Sequence, residues 1–503
     1  MTSTEATAIE FSSPAEPDVA QHHAIAAAAN NEVATEAILA LSAALSHGNE
    51  YEKILLRAAA GAGKSVQLRR MVVDALAHPA CVRVAVTAFM NRQIWPLALR
   101  LAEQLGSSKV CLLSGKDAYR DVPAEVKAAA TVVTSTTEVP DESLVVLATA
   151  SKLGAIGEYA RQLKQLGTAG NEETPYDVLF VDEAWQMALH LFAGVRRYAP
   201  LTVGVGDVGQ LPPIDAAANP WRGDPGYNPY RAWPTAFEDR ETTFSIDLPT
   251  VWRPHGNQLG LWRAFYRDWK RLDCVAAPED RTIELPSLDG PAADVWSAVA
   301  TGWPTLLEVA GLEDPEAPDI DEPLLRVVED LLDPLLAGGF AVVEREYDNS
   351  GEPADEAVSV HSSQPTGDPL IVILASRNAA VDQAHELVDR LTQRYGLAGG
   401  VITASTVDKW QGQTNRITIG LHPLSGADEL DDFNSAFGRL AVTCTRATHG
   451  LLLVTRDGIE DLLADAPARP GTPLGEPGMR TLPRQTHQRI LGAFVRGVLR
   501  LSE

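Results

Sequence analysis

Cysteine is scarce in this chain of 503 residues: Cys81, Cys111, Cys274 and Cys444 are scattered with no paired spacing. That argues against a disulfide framework or a zinc module and leaves isolated buried thiols as the reading. No apolar run approaches the ~18 residues that a membrane-spanning helix needs. The opening MTSTEATAIEFSSPAEPD lacks the basic and apolar regions of a secretory signal, so the expectation is a cytoplasmic protein with no membrane partner. Positive charge is also short, with 42 Lys and Arg against 67 Asp and Glu and a net charge of -25. Such a balance disfavours indiscriminate adhesion to polyanions but leaves room for one basic groove, because whole-chain charge does not describe a single surface. The acid is indeed uneven: carboxylates surround the lone Arg326 between Gly311 and Asp333, whereas Arg57 to Arg100 carries several bases and almost no acid. The histidines form no metal-like cluster, and His22-His23 reads as solvated.

What is present is an ordinary globular composition, 45% hydrophobic and 22% charged, which disfavours overall disorder. Short β-branched runs alternate with helical stretches. KILLRA, VRVAVTA, KVCLL, LVVLATA, DVLFVDEA and LTVGVGD form one set before residue 208, and TFSIDLP, AVVERE, LIVILAS, VITAST, RITIGL and LLLVTR form a second. This rhythm predicts parallel sheets covered by helices, hence two α/β lobes. The expected organisation is an N-terminal arm and helix (1–50), a first lobe (51–245), a second lobe (246–460) with an acidic insert near 273–335, and a tail (461–503). Helices are predicted at Glu32–Leu45 and Pro323–Ala337, and Arg484–Leu501 is a basic amphipathic stretch.

Three segments carry the chemistry. AAAGAGKS (58–65) lies between a strand and a helical pattern. Gly61, Ala62 and Gly63 would let backbone N–H groups close around phosphates at a helix N-terminus. Lys64 would reach the β- and γ-phosphates and Ser65 would hold Mg²⁺. YDVLFVDEA (176–184) ends a buried strand in two acids, so Asp182 can join the Mg²⁺ shell and Glu183 can polarise an attacking water. GDVGQLPP (206–213) sets Gln210 beside a proline turn, where an amide could sense the γ-phosphate. Taken singly, each has a plain structural reading: a chance loop, a solvated acidic edge, a simple turn.

The order of these segments resembles superfamily 1 helicases, and further signatures follow through residue 455. VTAFMNRQ (86–93) and LATASKL (147–153) are similar to the segments that touch the nucleic-acid backbone, through Thr87, Asn91 and Thr149. DLPTVWRPHGN (247–257) resembles the arginine motif, which implies Arg253 at the γ-phosphate. STVDKWQGQ (405–413) resembles the segment coupling ATP to the strand, with Thr406, Trp410 and Gly412, and AVTCTRATHGLLLV (441–454) the one supplying Arg446. The resemblance implies two RecA-like P-loop lobes, each a mostly parallel sheet flanked by helices. It also implies ATP and Mg²⁺ as cofactors, single-stranded DNA or RNA as partner, and a motor that translocates on or unwinds it. The motif style is closest to the 5′-to-3′ branch. Trp410 could stack on a base or simply pack.

Departures from the pattern are visible. Ala58 replaces the first glycine of the phosphate loop, Glu36 stands where a glutamine commonly reads adenine, and Gln413-Thr414 replaces a glutamate. The spacing leaves no room for large accessory domains, so a protein partner is a further expectation. Two alternatives stay open: a nucleic-acid-stimulated ATPase that remodels or signals without separating strands, and a nucleotide-binding regulatory module.

Overall fold

The computed structural model describes residues 8–14, 19–46, 51–209, 211, 213, 228–267, 269, 271–317, 319–430, 434, 437–466 and 483–501. Two compact units are formed, one chiefly of Asn30–Leu248 and the other of Pro249–Gly471 with Met1–Ala29 and Arg480–Glu503. Each is a RecA-like α/β unit.

In the first unit, eight strands form one sheet: β1 (Lys53–Ala58), β2 (Val84–Ala88), β3 (Val110–Leu113), β4 (Thr131–Val133), β5 (Val145–Thr149), β6 (Val178–Asp182), β7 (Leu201–Gly206) and β8 (Thr243–Leu248). Their order is β4-β3-β5-β2-β6-β7-β1-β8, and every pairing is parallel. Both faces of the central strands are covered, which is why β2, β6 and β7 are buried at every residue rather than alternately. On one face Leu55, Val146 and Leu179 meet Phe192 and Trp233, whose rings stack at 4.0 Å. By sequence alone β8 falls with the second set of strands. It pairs instead with β1, Lys53 facing Thr243 through to Ala58 facing Leu248.

The second unit opens with the short pair β9 (Thr250–Val251) and β10 (Asp273–Cys274). An antiparallel trio follows from β11 (Arg281–Glu284), β13 (Ala341–Glu344) and β14 (Val358–His361). Its main sheet contains β12 (Thr305–Ala310), β15 (Ile371–Ala375), β16 (Ile402–Thr406), β17 (Asn415–Leu421), β18 (Ala447–Arg456) and β19 (Val495–Arg500), in the order β16-β15-β17-β18-β12-β19. All of these pairings are parallel. The helix Glu322–Gly338 brings Leu324, Val328, Leu331 and Leu335 to one core at helical spacing. Trp296 enters the same core and donates its indole N–H to Leu331 O at 2.7 Å. Three sequence expectations change here. The acidic stretch 273–335 contributes a central strand, β12. AVVERE leaves the parallel sheet for the antiparallel trio. The basic stretch divides into a helix, Pro483–Leu491, and the edge strand β19.

Candidate nucleotide and nucleic-acid sites

Parallel strands place their C-terminal loops on one edge of a sheet, and ligands of open α/β sheets gather there. In the first unit β6, β7 and β1 are adjacent, so the loops after them are neighbours. The loop after β1 is built from small residues: Ala59, Ala60 and Ala62 are buried, and Ala62 N–H donates to Ala59 O at 3.1 Å. Gly61 and Gly63 have φ of 75° and 86°, a region that side chains disfavour. Gly63 caps the helix Lys64–Ala77, and its carbonyl accepts from Val66 and Gln67 N–H. Buried Asn30 braces the turn by donating to Ala62 O at 3.1 Å.

Lys64 points into a group of acids. Its Nζ lies 3.2 Å from Glu183 Oε1 and 3.7 Å from Asp207 Oδ2. Asp182 ends β6 with its carboxylate buried, accepting from Glu183 N–H at 3.0 Å. Burial, and next the Glu183 charge, hold the Asp182 carboxyl above the usual carboxylate range, while Lys64 opposes them. Glu183 itself sits at φ 49°, ψ 47°. A left-handed non-glycine residue costs about 1–3 kcal/mol and persists where its surroundings enforce it. Asp207 stands inside GDVGQLPP, where the sequence pattern draws attention to Gln210 instead. The signal for Asp207 is its place at the end of an apolar strand, the same as that of Asp182. Gln210 lies outside the described residues.

Hydroxyl and carboxylate oxygens suit a hard cation that keeps most of its shell for water and phosphate. Ser65 at the helix start and Asp182 offer that donor set. Among the described residues no group of three or more His, Cys, Asp or Glu could cage a metal by itself.

In the second unit Arg253 and Arg446 converge on one corner. Arg253 donates from Nε to Thr414 Oγ1 at 3.1 Å and from a terminal nitrogen to Thr445 O at 3.2 Å. Arg446 donates to Val442 O at 3.1 Å, to Thr445 Oγ1 at 2.8 Å and, at the limit of hydrogen bonding, to Gln413 O at 3.5 Å. It is 1% exposed. Gly412, at φ 85°, turns the chain just before this corner. Arg281, which the sequence did not disclose, secures the Arg253 segment: its guanidinium donates to the carbonyls of Trp252, Arg253 and Pro254. His255 Nδ1 accepts from Asn257 N–H, so Nε2 carries the proton and donates to Arg281 O at 2.9 Å. Burial and then the Arg281 charge push its pKa down to about 4.

The residues expected to meet nucleic acid divide. Thr149 and Thr406 are counterparts: each ends a strand and caps a four-residue helix, accepting from the N–H of Lys152 and Lys409 respectively. Each hydroxyl keeps its own proton for donation. Asn91 begins the helix Asn91–Leu105 and is half-buried. Thr87 differs from its expected role: it is wholly enclosed in β2, 0% exposed, and presents no hydroxyl to the surface. Trp410 is half-buried and donates its indole N–H to Asn415 Oδ1 at 2.9 Å. No helix among the described residues is long and apolar enough to cross a membrane.

No protein-family model matches the chain, and no curated protein matches it. Among solved structures it is similar to the helicase of PRRSV, at 14% identity and TM-score 0.34, covering 86% of this chain and 58% of that one. It is also similar to an arterivirus nonstructural protein 10 helicase, at 15% identity and TM-score 0.37, covering 85% and 64%. A third is the DUF1998 helicase MrfA bound to DNA, at 10% identity and TM-score 0.44, covering 90% and 50%. The chain therefore spans only 50–64% of the length of these structures. Similarity at this level assigns no residue a role.

Proposed function

We propose that the chain is an ATP-driven motor that moves on, or separates, single strands of DNA or RNA. The observation that carries the reading is the Lys64 ammonium held beside Glu183 and Asp207 at the loop edge of a parallel sheet. In this reading a triphosphate enters the turn Ala59–Gly63 and meets the first amides of the following helix. Lys64 leaves Glu183 for the β- and γ-phosphates. Glu183, freed, positions the attacking water and accepts its proton. Mg²⁺, held by Ser65 and Asp182, would offset phosphate charge. Arg253 and Arg446 of the second unit would stabilise charge developing on the transferred phosphoryl group, and Gln210 would report the γ-phosphate. For Arg446 this requires release from the carbonyls that bury it.

The strand contacts fall to Asn91, Thr149, Thr406 and Trp410, with Thr87 shaping the loop from inside. The matched caps of Thr149 and Thr406, one in each unit, favour a motor that grips with both over a module that only binds nucleotide. We infer 5′-to-3′ movement from the motif style, the chain acting in the cytoplasm with a protein partner for duplex unwinding.

The test is nucleotide turnover by the whole chain. Lys64→Ala is expected to abolish hydrolysis, and Glu183→Gln to retain nucleotide binding while losing turnover. Full activity in a folded Lys64→Ala protein would sink the assignment.

A further inference from the structure

Gln186 and Gln93 have no part in the chemistry above, yet they connect its base to a neighbouring helix. Gln186 closes the short turn Ala184–Gln186 after β6 and is buried. Its amide N–H donates to Glu183 Oε2 at 3.2 Å, and its amide oxygen accepts from Gln93 Nε2 at 3.0 Å. Gln93 Oε1 in turn accepts from Met90 N–H at 2.9 Å, at the start of the helix Asn91–Leu105. The direction of this chain is fixed at both ends. A backbone N–H can only donate, and an ionised carboxylate can only accept, so each amide has one self-consistent orientation.

We propose that Gln186 and Gln93 are positioning residues, forming a relay through which single-stranded nucleic acid at the first turn of Asn91–Leu105 controls Glu183. The proposal rests on the reading of Glu183 as the group that positions water. In the resting arrangement Glu183 is engaged by Lys64 and by Gln186. Both partners occupy the lone pairs a water would need. The strained backbone of Glu183 adds a reason to move once those partners leave. A strand drawing on Asn91 shifts the turn that Gln93 caps. Gln93 then withdraws from Gln186, and the carboxylate is released toward the nucleotide. Packing alone explains a buried glutamine, but it does not require an unbroken donor-acceptor sequence from a helix cap to a carboxylate.

The relay is tested on the full chain by ATP turnover with and without oligodeoxythymidylate or oligouridylate, comparing wild type, Gln93→Leu, Gln186→Leu and the double variant. Expected are a KM for ATP within about twofold of wild type, basal turnover equal or higher, and stimulation by the strand reduced about tenfold, the scale of one hydrogen bond. The double variant should lose no more than either single one, because both break one connection. Should Gln186→Leu fail to fold, Gln93→Leu breaks the same link from a half-buried position. Amide exchange at Met90 gives a readout independent of turnover: Glu183→Ala should speed it in the native background and add nothing in Gln186→Leu. Undiminished stimulation in both single variants overturns the relay, as does exchange at Met90 that ignores Glu183→Ala. A chain that shows the exchange coupling but hydrolyses no nucleotide would retain the relay and lose the functional reading.

Discussion

Three histidines of the second unit are buried as neutral rings, and they set how the fold answers acid. His255 is bonded on both nitrogens. His449 lies between Thr448 and the Val343 carbonyl, and His422 accepts from Leu424 N–H. Burial is the first cause in each case, lowering His255 to about 4, His422 to about 3 and His449 well below its ordinary value. Since the folded pKa is depressed, the unfolded chain binds protons first as pH falls. The contribution is complete above pH ~6.5 and is lost as pH drops toward 4 for His255 and toward 3 for His422. His255 alone should cost about 2 kcal/mol at pH 5. Urea midpoints at pH 7.5 and pH 5 check this. A clear drop that shrinks in His255→Gln is expected, and equal midpoints would refute it. At this scale the sequence disclosed what local pattern can disclose. Lys64 lies in one motif and Asp182 and Glu183 lie side by side in another, and the fold brings Lys64 to Glu183. Arg281 and Gln186 act through a backbone carbonyl or an amide remote in sequence, and no spacing announces such a partner.

Strands are legible where apolar and β-branched residues dominate the run, as in β2, β6 and β15. Pairing is not. β8 reads as a strand wherever it is placed, and only the register with β1, 190 residues away, assigns it to the first sheet. β12 was hidden because its TLLEVA lies in an acid-rich stretch whose average composition suggested an insert. The tail shows the same limit. VRGVLR alternates buried and more exposed positions, which is the period of a half-covered strand and not of a helix. β19 then covers β12 across six paired residues, and Gly497 leaves room for Phe11 and Ile9, which a Cβ would meet at 2.7 and 2.8 Å. Removing residues 483–503 should bare the β12 edge, lower the unfolding midpoint of the second unit and promote aggregation. Thermal melts with light scattering would record it. An unchanged melt would show that β19 is dispensable.

For the molecule as a whole, the sequence conveyed the architecture of two α/β units because the alternation of strand and helix is a long-range rhythm that survives local errors. It conveyed the Lys64 and Glu183 grouping of the first unit more fully than the arginine corner of the second, where Thr414 and Thr445 assemble from segments 31 residues apart. If that corner serves the nucleotide, Arg253→Ala and Arg446→Ala should each slow turnover by about 10³-fold or more. Arg253→Ala should leave the melting midpoint nearly unchanged, whereas Arg446→Ala, at a buried position, should also lower it.

The central claim is that nucleotide turnover is coupled to a nucleic-acid strand. It meets its most direct test in one measurement, the steady-state ATPase rate of wild type with and without single-stranded DNA and RNA, Lys64→Ala serving as the blank. The account predicts slow turnover alone, many-fold stimulation by at least one of the two strands, and none in the blank. Turnover equal with and without either strand would contradict it.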